Sequence, residues 1–172
     1  MTSVAIIGGA GYTGGELIRL LLHHPKVELT EIVSQSQTGK SIYEVHKDLW
    51  GETELAFASR LEKSADIVFL CLGHEKSEAY LAQNPLSETT KVIDLSEDHR
   101  GDSQFIYGLP ELNRKSIKGA TRVANPGCFA TALTLGLLPL AHNGALGEVH
   151  ASGITGSTGA GMSPSETTHF SW

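Results

Sequence analysis

Cysteine is scarce in this sequence: Cys71 and Cys128 are the only two in 172 residues. Two thiols make no disulfide framework, so a reducing, cytoplasmic setting in which both stay free is expected. Clusters of lysine or arginine are missing too. With a formal net charge of −6, the chain is not expected to present a surface for nucleic acid or an anionic membrane, and a small soluble ligand fits better. Glu16 and Arg19 interrupt the first hydrophobic segment, and no charged region precedes a long apolar stretch, so neither a membrane span nor a signal peptide is expected. G-x-S-x-G occurs nowhere, which excludes a serine nucleophile elbow, and no C-x-x-C or H-E-x-x-H spacing offers a metal site. His23-His24 reads as a solvated helix end. No internal repeat is visible.

Glycine, by contrast, is plentiful: 19 residues, gathered in short groups of the kind that bring backbone close to a ligand. The first group follows a buried strand, Val4-Ala5-Ile6-Ile7. It runs Gly8-Gly9-Ala10-Gly11-Tyr12-Thr13-Gly14-Gly15 and leads into a helix pattern, Glu16 to Leu22, that stops at Pro25. Strand, glycine loop and helix form the context of a dinucleotide-binding fingerprint, in the register Gly9, Gly11, Gly14 or Gly8, Gly11, Gly14. Its glycines allow a tight turn and close approach of a pyrophosphate to the helix N-terminus. Gly8, Gly11, Tyr12, Thr13 and Gly14 are the candidate cofactor residues here.

A second strand, Val27 to Val33, ends where NAD-specific proteins carry a carboxylate for the ribose hydroxyls. Ser34-Gln35-Ser36 stands there instead. A 2′-phosphate meets no repulsion, and Ser34, Ser36 and Lys40 are candidates to hold it, which favours NADP. Gly39-Lys40-Ser41 resembles the end of a P-loop, but Ser34 replaces its first glycine and leaves the phosphate cradle incomplete.

Asp66 to Gly73 reads as a further buried strand, with Cys71 packed mid-strand and Gly73 at its ligand-facing end, followed by a helix from Ser77 to Gln83. Lys91-Val92-Ile93-Asp94-Leu95 delivers Ser96, Asp98, His99 and Arg100 at its C-terminal end, where such sheets bind ligands. Leu109 to Asn113 turns into a short helix, and Arg122-Val123-Ala124 is a brief strand. The alternation predicts an α/β, Rossmann-type doubly wound parallel sheet.

That last strand runs straight into Asn125-Pro126-Gly127-Cys128. An apolar run from Phe129 to Leu138 then reads as a buried helix, so Cys128 is expected at a helix N-terminus, where unpaired N–H groups and the dipole favour the nucleophilic thiolate. The alternative role for Cys128 is that of a small core hydrophobe. Beyond Pro139, Glu148 to Ala151 reads as the start of another strand. Ser152 to Gly161 is small and polar, suited either to wrapping an anion or to a disordered loop. The expected division is a dinucleotide-binding domain over residues 1–148 and the start of a truncated α+β catalytic domain for substrate binding and dimerisation over 149–172. His169-Phe170-Ser171-Trp172 lacks the polar character of a natural C-terminus, and truncation is expected there.

Five strings together carry a family resemblance: Gly8-Gly9-Ala10-Gly11-Tyr12-Thr13-Gly14, Val92 to Ser96, Tyr107-Gly108-Leu109-Pro110-Glu111-Leu112, Asn125-Pro126-Gly127-Cys128, and Ser157-Thr158-Gly159-Ala160-Gly161. The chain resembles the N-acetyl-γ-glutamyl-phosphate reductases, relatives of the aspartate-semialdehyde dehydrogenases. The resemblance implies NADPH-dependent reduction of an acyl phosphate to an aldehyde in arginine biosynthesis through a thioester on Cys128. It further implies that Asn125 orients the sulfur or the oxyanion, that Arg100 with Ser157, Thr158 and Gly159 binds the substrate phosphate, and that the full-length enzyme is a homo-oligomer. Gln35 departs from the arginine that many relatives carry. The family's catalytic histidine lies beyond Trp172, so residues 1–172 alone are expected to be nearly inactive. The alternatives are an aspartate-semialdehyde dehydrogenase, a lysine-pathway acyl-phosphate reductase, or a non-catalytic nucleotide-binding module.

Overall fold

A computed structural model describes residues 1–73 and 75–160. Seven strands form one sheet in the order β3-β2-β1-β4-β5-β7-β6, with every neighbouring pair parallel. The strands are β1 (Thr2–Ile7), β2 (Val27–Val33), β3 (Phe57–Ala58), β4 (Ile67–Leu70), β5 (Lys91–Asp94), β6 (Ile106–Tyr107) and β7 (Arg122–Ala124). Helices α1 (Tyr12–Leu22), α2 (Ile42–Val45), α3 (Ser77–Gln83), α4 (Pro110–Gly119) and α5 (Cys128–His142) connect or follow them. Alternation along β1 divides the core. Ala5 and Ile7 pack with Val68, Leu70 and Val92, whereas Ile6 packs with Ile18, Ile32 and Phe57 on the other face. Apolar residues at consecutive positions are what a sheet covered on both faces requires.

The register gives the molecule its working edge. Ala58 pairs with Val33, Val33 with Ile7, Ile7 with Leu70, Leu70 with Asp94, Asp94 with Ala124, and Ala124 with Tyr107. All seven strands therefore end on one transverse row. The first residue after each of several strands adds one more rung: Ser34 N–H donates to Ala58 O, Gly8 to Val33 O, Cys71 to Ile7 O, Leu95 to Leu70 O and Asn125 to Asp94 O. The reversal of strand order lies between β1 and β4, where crevices open at the carboxyl ends of parallel strands.

Several expectations are corrected. Cys71 lies one residue beyond β4 rather than mid-strand, because the ladder stops at Leu70. Glu148 to Ala151 is not a strand: its backbone pairs with no other strand among the described residues, and an isolated strand leaves its polar groups without partners. The helix after the cysteine is apolar but not buried. Phe129, Leu133 and Leu140 are exposed, since no described element covers α5. α1 begins at Tyr12, directly on the glycine loop, and β3 and β6 are pairs of residues too short to leave a periodic signal.

Candidate active site

Loops from β1, β2 and β4 surround a cleft of about 500 Å³. Gly8 turns with φ +85°, and a Cβ there would lie 2.5 Å from the carbonyl oxygen of Cys71. Gly14 permits the helix to close on the loop: its Cβ would lie 2.6 Å from Gly9 Cα and 2.7 Å from Gly8 O. Gly11 and Gly73 border the opening, where a Cβ meets little or nothing of the protein. Of the expected cofactor residues, Gly8, Gly11, Ser34, Ser36 and Gly73 line the cleft. Tyr12, Thr13 and Gly14 form the first turn of α1 behind it. Lys40 lies outside the lining, and its Nζ donates to Gln37 Oε1 at 2.9 Å.

The opposite wall comes from α3 and the turn before it, which the motifs did not single out. Lys76 and Tyr80 line the cleft from that side. The Tyr80 hydroxyl is buried and has no hydrogen-bond partner among the described residues, an unusual state for a phenol. Orphaned donor, open glycine positions and a hydroxyl-bearing β2 end together fit a dinucleotide. Cys71, also in the lining, is a poor nucleophile, because burial and the nearby Asp94 charge push its thiol up to about 12.

Across the same edge, β7 delivers the cysteine. Asn125 N–H donates to Asp94 O at 2.7 Å, and Asn125 Nδ2 donates to Pro126 O at 3.0 Å. Gly127 is the N-cap of α5, so Cys128 occupies the first helical position and is exposed. Arg100 braces this loop. Its Nε donates to Asn125 O at 3.0 Å and its Nη2 to Leu95 O at 3.4 Å, while a Cβ on Gly127 would come within 2.9 Å of Nη1. The residue expected at the substrate phosphate thus also holds the backbone that carries the thiol.

One turn, Asp94 to Arg100, connects this loop to the cleft. Asp94 is fully buried and accepts from Ser77 Oγ at 2.8 Å, Ser96 N at 3.0 Å, Ser96 Oγ at 2.8 Å and His99 Nδ1 at 2.6 Å. His99 stacks on Phe105 with ring centroids 4.1 Å apart. Asp98 accepts from the backbone N–H groups of Glu75 at 2.7 Å, Ser77 at 2.9 Å and Glu78 at 3.2 Å. Burial opposes its ionisation, but these donors and the Ser96 hydroxyl outweigh it and hold its carboxyl below the usual range. Glu75 is thereby kept at φ +64°, a left-handed conformation unusual for its type.

The Ser157–Ala160 segment forms a short 3-10 turn in which Gly159 N–H donates to Gly156 O at 3.0 Å, with Thr158 and Gly159 exposed. The loop before it passes α5, since Gly153 packs directly on the Phe129 ring. Gly161 and the expected terminal segment His169 to Trp172 lie outside the described residues.

Residues 3–120 match the family model described as semialdehyde dehydrogenase, NAD binding domain. The chain belongs to the semialdehyde dehydrogenase family. Residues 128–172 match that family's dimerisation domain. The relatives include the N-acetyl-gamma-glutamyl-phosphate reductases of Christiangramia forsetii, 57% identical over 176 residues, and Flavobacterium johnsoniae, 49% identical over 180. Each alignment takes in 100% of this chain and 55% of the relative, so the chain spans about half the length of the curated relatives it matches. Among solved structures, aspartate semialdehyde dehydrogenase II of Vibrio cholerae, complexed with ASA, superposes with a TM-score of 0.64 at 20% identity, over 94% of this chain and 48% of that one. The Candida albicans aspartate semialdehyde dehydrogenase with NADP gives 0.64 at 15% identity, over 85% and 48%. These two likenesses establish the semialdehyde dehydrogenase fold. Among the described residues, no helix is long and apolar enough to cross a membrane.

Proposed function

We propose that the protein reduces N-acetyl-γ-glutamyl phosphate to N-acetylglutamate semialdehyde with NADPH, in arginine biosynthesis. The supporting observation is that an exposed cysteine opens a helix on the same strand-end row as the dinucleotide cleft. Relatives at 57% and 49% identity bear the reductase name.

In this reading the Cys128 thiolate attacks the γ-carbonyl carbon. The C–O bond to phosphate breaks, inorganic phosphate leaves with the bonding pair, and a thioester remains. NADPH, when bound, supplies the hydride that reduces the thioester carbon. The resulting thiohemiacetal expels the sulfur as thiolate and releases the aldehyde. Asn125 has a second amide N–H beyond the one given to Pro126, and it is offered to the developing oxyanion. Arg100, with donors beyond the two spent on carbonyls, and Ser157, Thr158 and Gly159 hold the substrate phosphate. Gly8, Gly11 and Gly14 admit the pyrophosphate, Gly73 leaves room beside the cofactor, and Ser34 and Ser36 take the 2′-phosphate.

Residues 1–148 carry the cofactor and the nucleophile, and residues from 149 begin the substrate and dimerisation domain, which makes the full-length enzyme a homo-oligomer. Thiolate chemistry requires a reducing compartment, which sets the reaction in the cytoplasm. The full-length protein is expected to oxidise N-acetylglutamate semialdehyde in the presence of phosphate and NADP, and Cys128→Ser to lose that turnover while still binding NADP. Turnover of aspartate semialdehyde alone, or an unaffected Cys128→Ser variant, would refute the assignment.

A further inference from the structure

The expected NADP site lacks a cation at the end of β2, where Gln35 stands between the two serines. Lys40, the nearest lysine in sequence, is outside the cleft and tied to Gln37. Lys76 is different. It projects from the opposite wall, is exposed, and is the single cation among the described lining residues. Its ammonium makes no hydrogen bond or ion pair with a described residue.

Lys76 is also held in place by its neighbours. The turn that carries it is fixed by Asp98, which binds the N–H groups on both sides, at Glu75 and Ser77. The one carboxylate among the described lining residues, Glu75, also borders a neighbouring depression with Glu78, Glu97 and Asp98. An anion is disfavoured toward that side and favoured at the Lys76 and serine side of the cleft.

We propose that Lys76 is the cationic partner of the NADP 2′-phosphate, gripping it from the α3 wall while Ser34 and Ser36 donate from the β2 wall. Cofactor preference then resides in a residue more than a strand away from the serine pair. A lysine suits the position because a flexible stem and a point charge reach across an open cleft without the flat stacking surface an arginine needs. This assignment rests on the dinucleotide-binding reading above.

Calorimetric titration of the full-length protein with NADP and with NAD, in the absence of substrate, tests it. Lys76→Met is expected to weaken NADP binding about tenfold while leaving NAD binding within about twofold. The salt dependence of NADP affinity should shrink in the same variant, because one charge contact is gone. Lys76→Arg should keep most of the NADP preference, and Lys40→Met should change neither affinity. Unaltered selectivity in Lys76→Met, or a loss found in Lys40→Met instead, would overturn the proposal. Wild-type protein that binds neither dinucleotide would overturn the cofactor reading itself, a separate result.

Discussion

At the scale of single residues, two glycines on the strand-end edge face opposite kinds of neighbour. Gly8 is hemmed in by backbone: at φ +85° its Cβ would lie 2.5 Å from the carbonyl oxygen of Cys71, a residue whose own N–H is tied to Ile7 O. Gly8→Ala is therefore expected to cost about 2–4 kcal/mol, from strain and displaced backbone together. Gly127 meets the mobile end of Arg100 at 2.9 Å instead. Its alanine variant should lose under about 1 kcal/mol, since a guanidinium swings aside cheaply, but it detaches Arg100 from the Asn125 carbonyl and disturbs the thiol's seat. Urea unfolding of both variants checks this ranking, and equal losses would contradict it. The dual position of Arg100 was not legible in the sequence. A motif places a residue near a site but not the carbonyl its guanidinium meets.

Among the elements, α3 depends on a carboxylate from another segment. Asp98 accepts three N–H groups at its start, and α3 has no side-chain cap of its own. Asp98→Ala is expected to cost about 1–2 kcal/mol and to free the Glu75 turn, read as faster amide exchange at Glu75, Ser77 and Glu78. Unchanged exchange there would count against this coupling. The sequence disclosed β1, β2, β4, β5, β7, α1 and α3 because they carry apolar or periodic residues, most of them bounded by glycine or proline. It did not disclose β3 or β6, which exist through pairing with β2 and β7 rather than through their own composition. α5 shows the reverse case. Phe129 to Leu138 is apolar enough to read as core, yet apolar composition says nothing of what covers it. The cofactor glycines were legible because steric need selects them, whereas Lys76 has no signal at all apart from the wall it occupies.

For the whole molecule, acid stability follows from three aspartates whose carboxyls are held low. Arg19 hydrogen-bonds Asp48 and lowers it to about 2, Ser3 N–H and hydroxyl lower Asp66, and Asp98 is lowered as described. A group depressed on folding binds more protons when unfolded, so its contribution is complete above the ordinary aspartate value of about 4 and disappears as pH falls toward 2. Thermal unfolding should thus be insensitive to these groups from pH 7 to about 5 and decline below about 4, with a shallower decline in Asp48→Asn. The row on which all seven strands end has a different bearing, on where the chain tolerates added length. Residues inserted after His24 or Ser87 would lengthen connections at the far edge of the sheet and leave the row intact. The same insertion after Ser34 or Leu95 would fall directly beyond a rung and push a wall of the cleft or the brace of the cysteine loop out of place. Insertion scanning of this chain is therefore expected to sort by sheet edge, with permissive sites on one side and inactivating sites on the other.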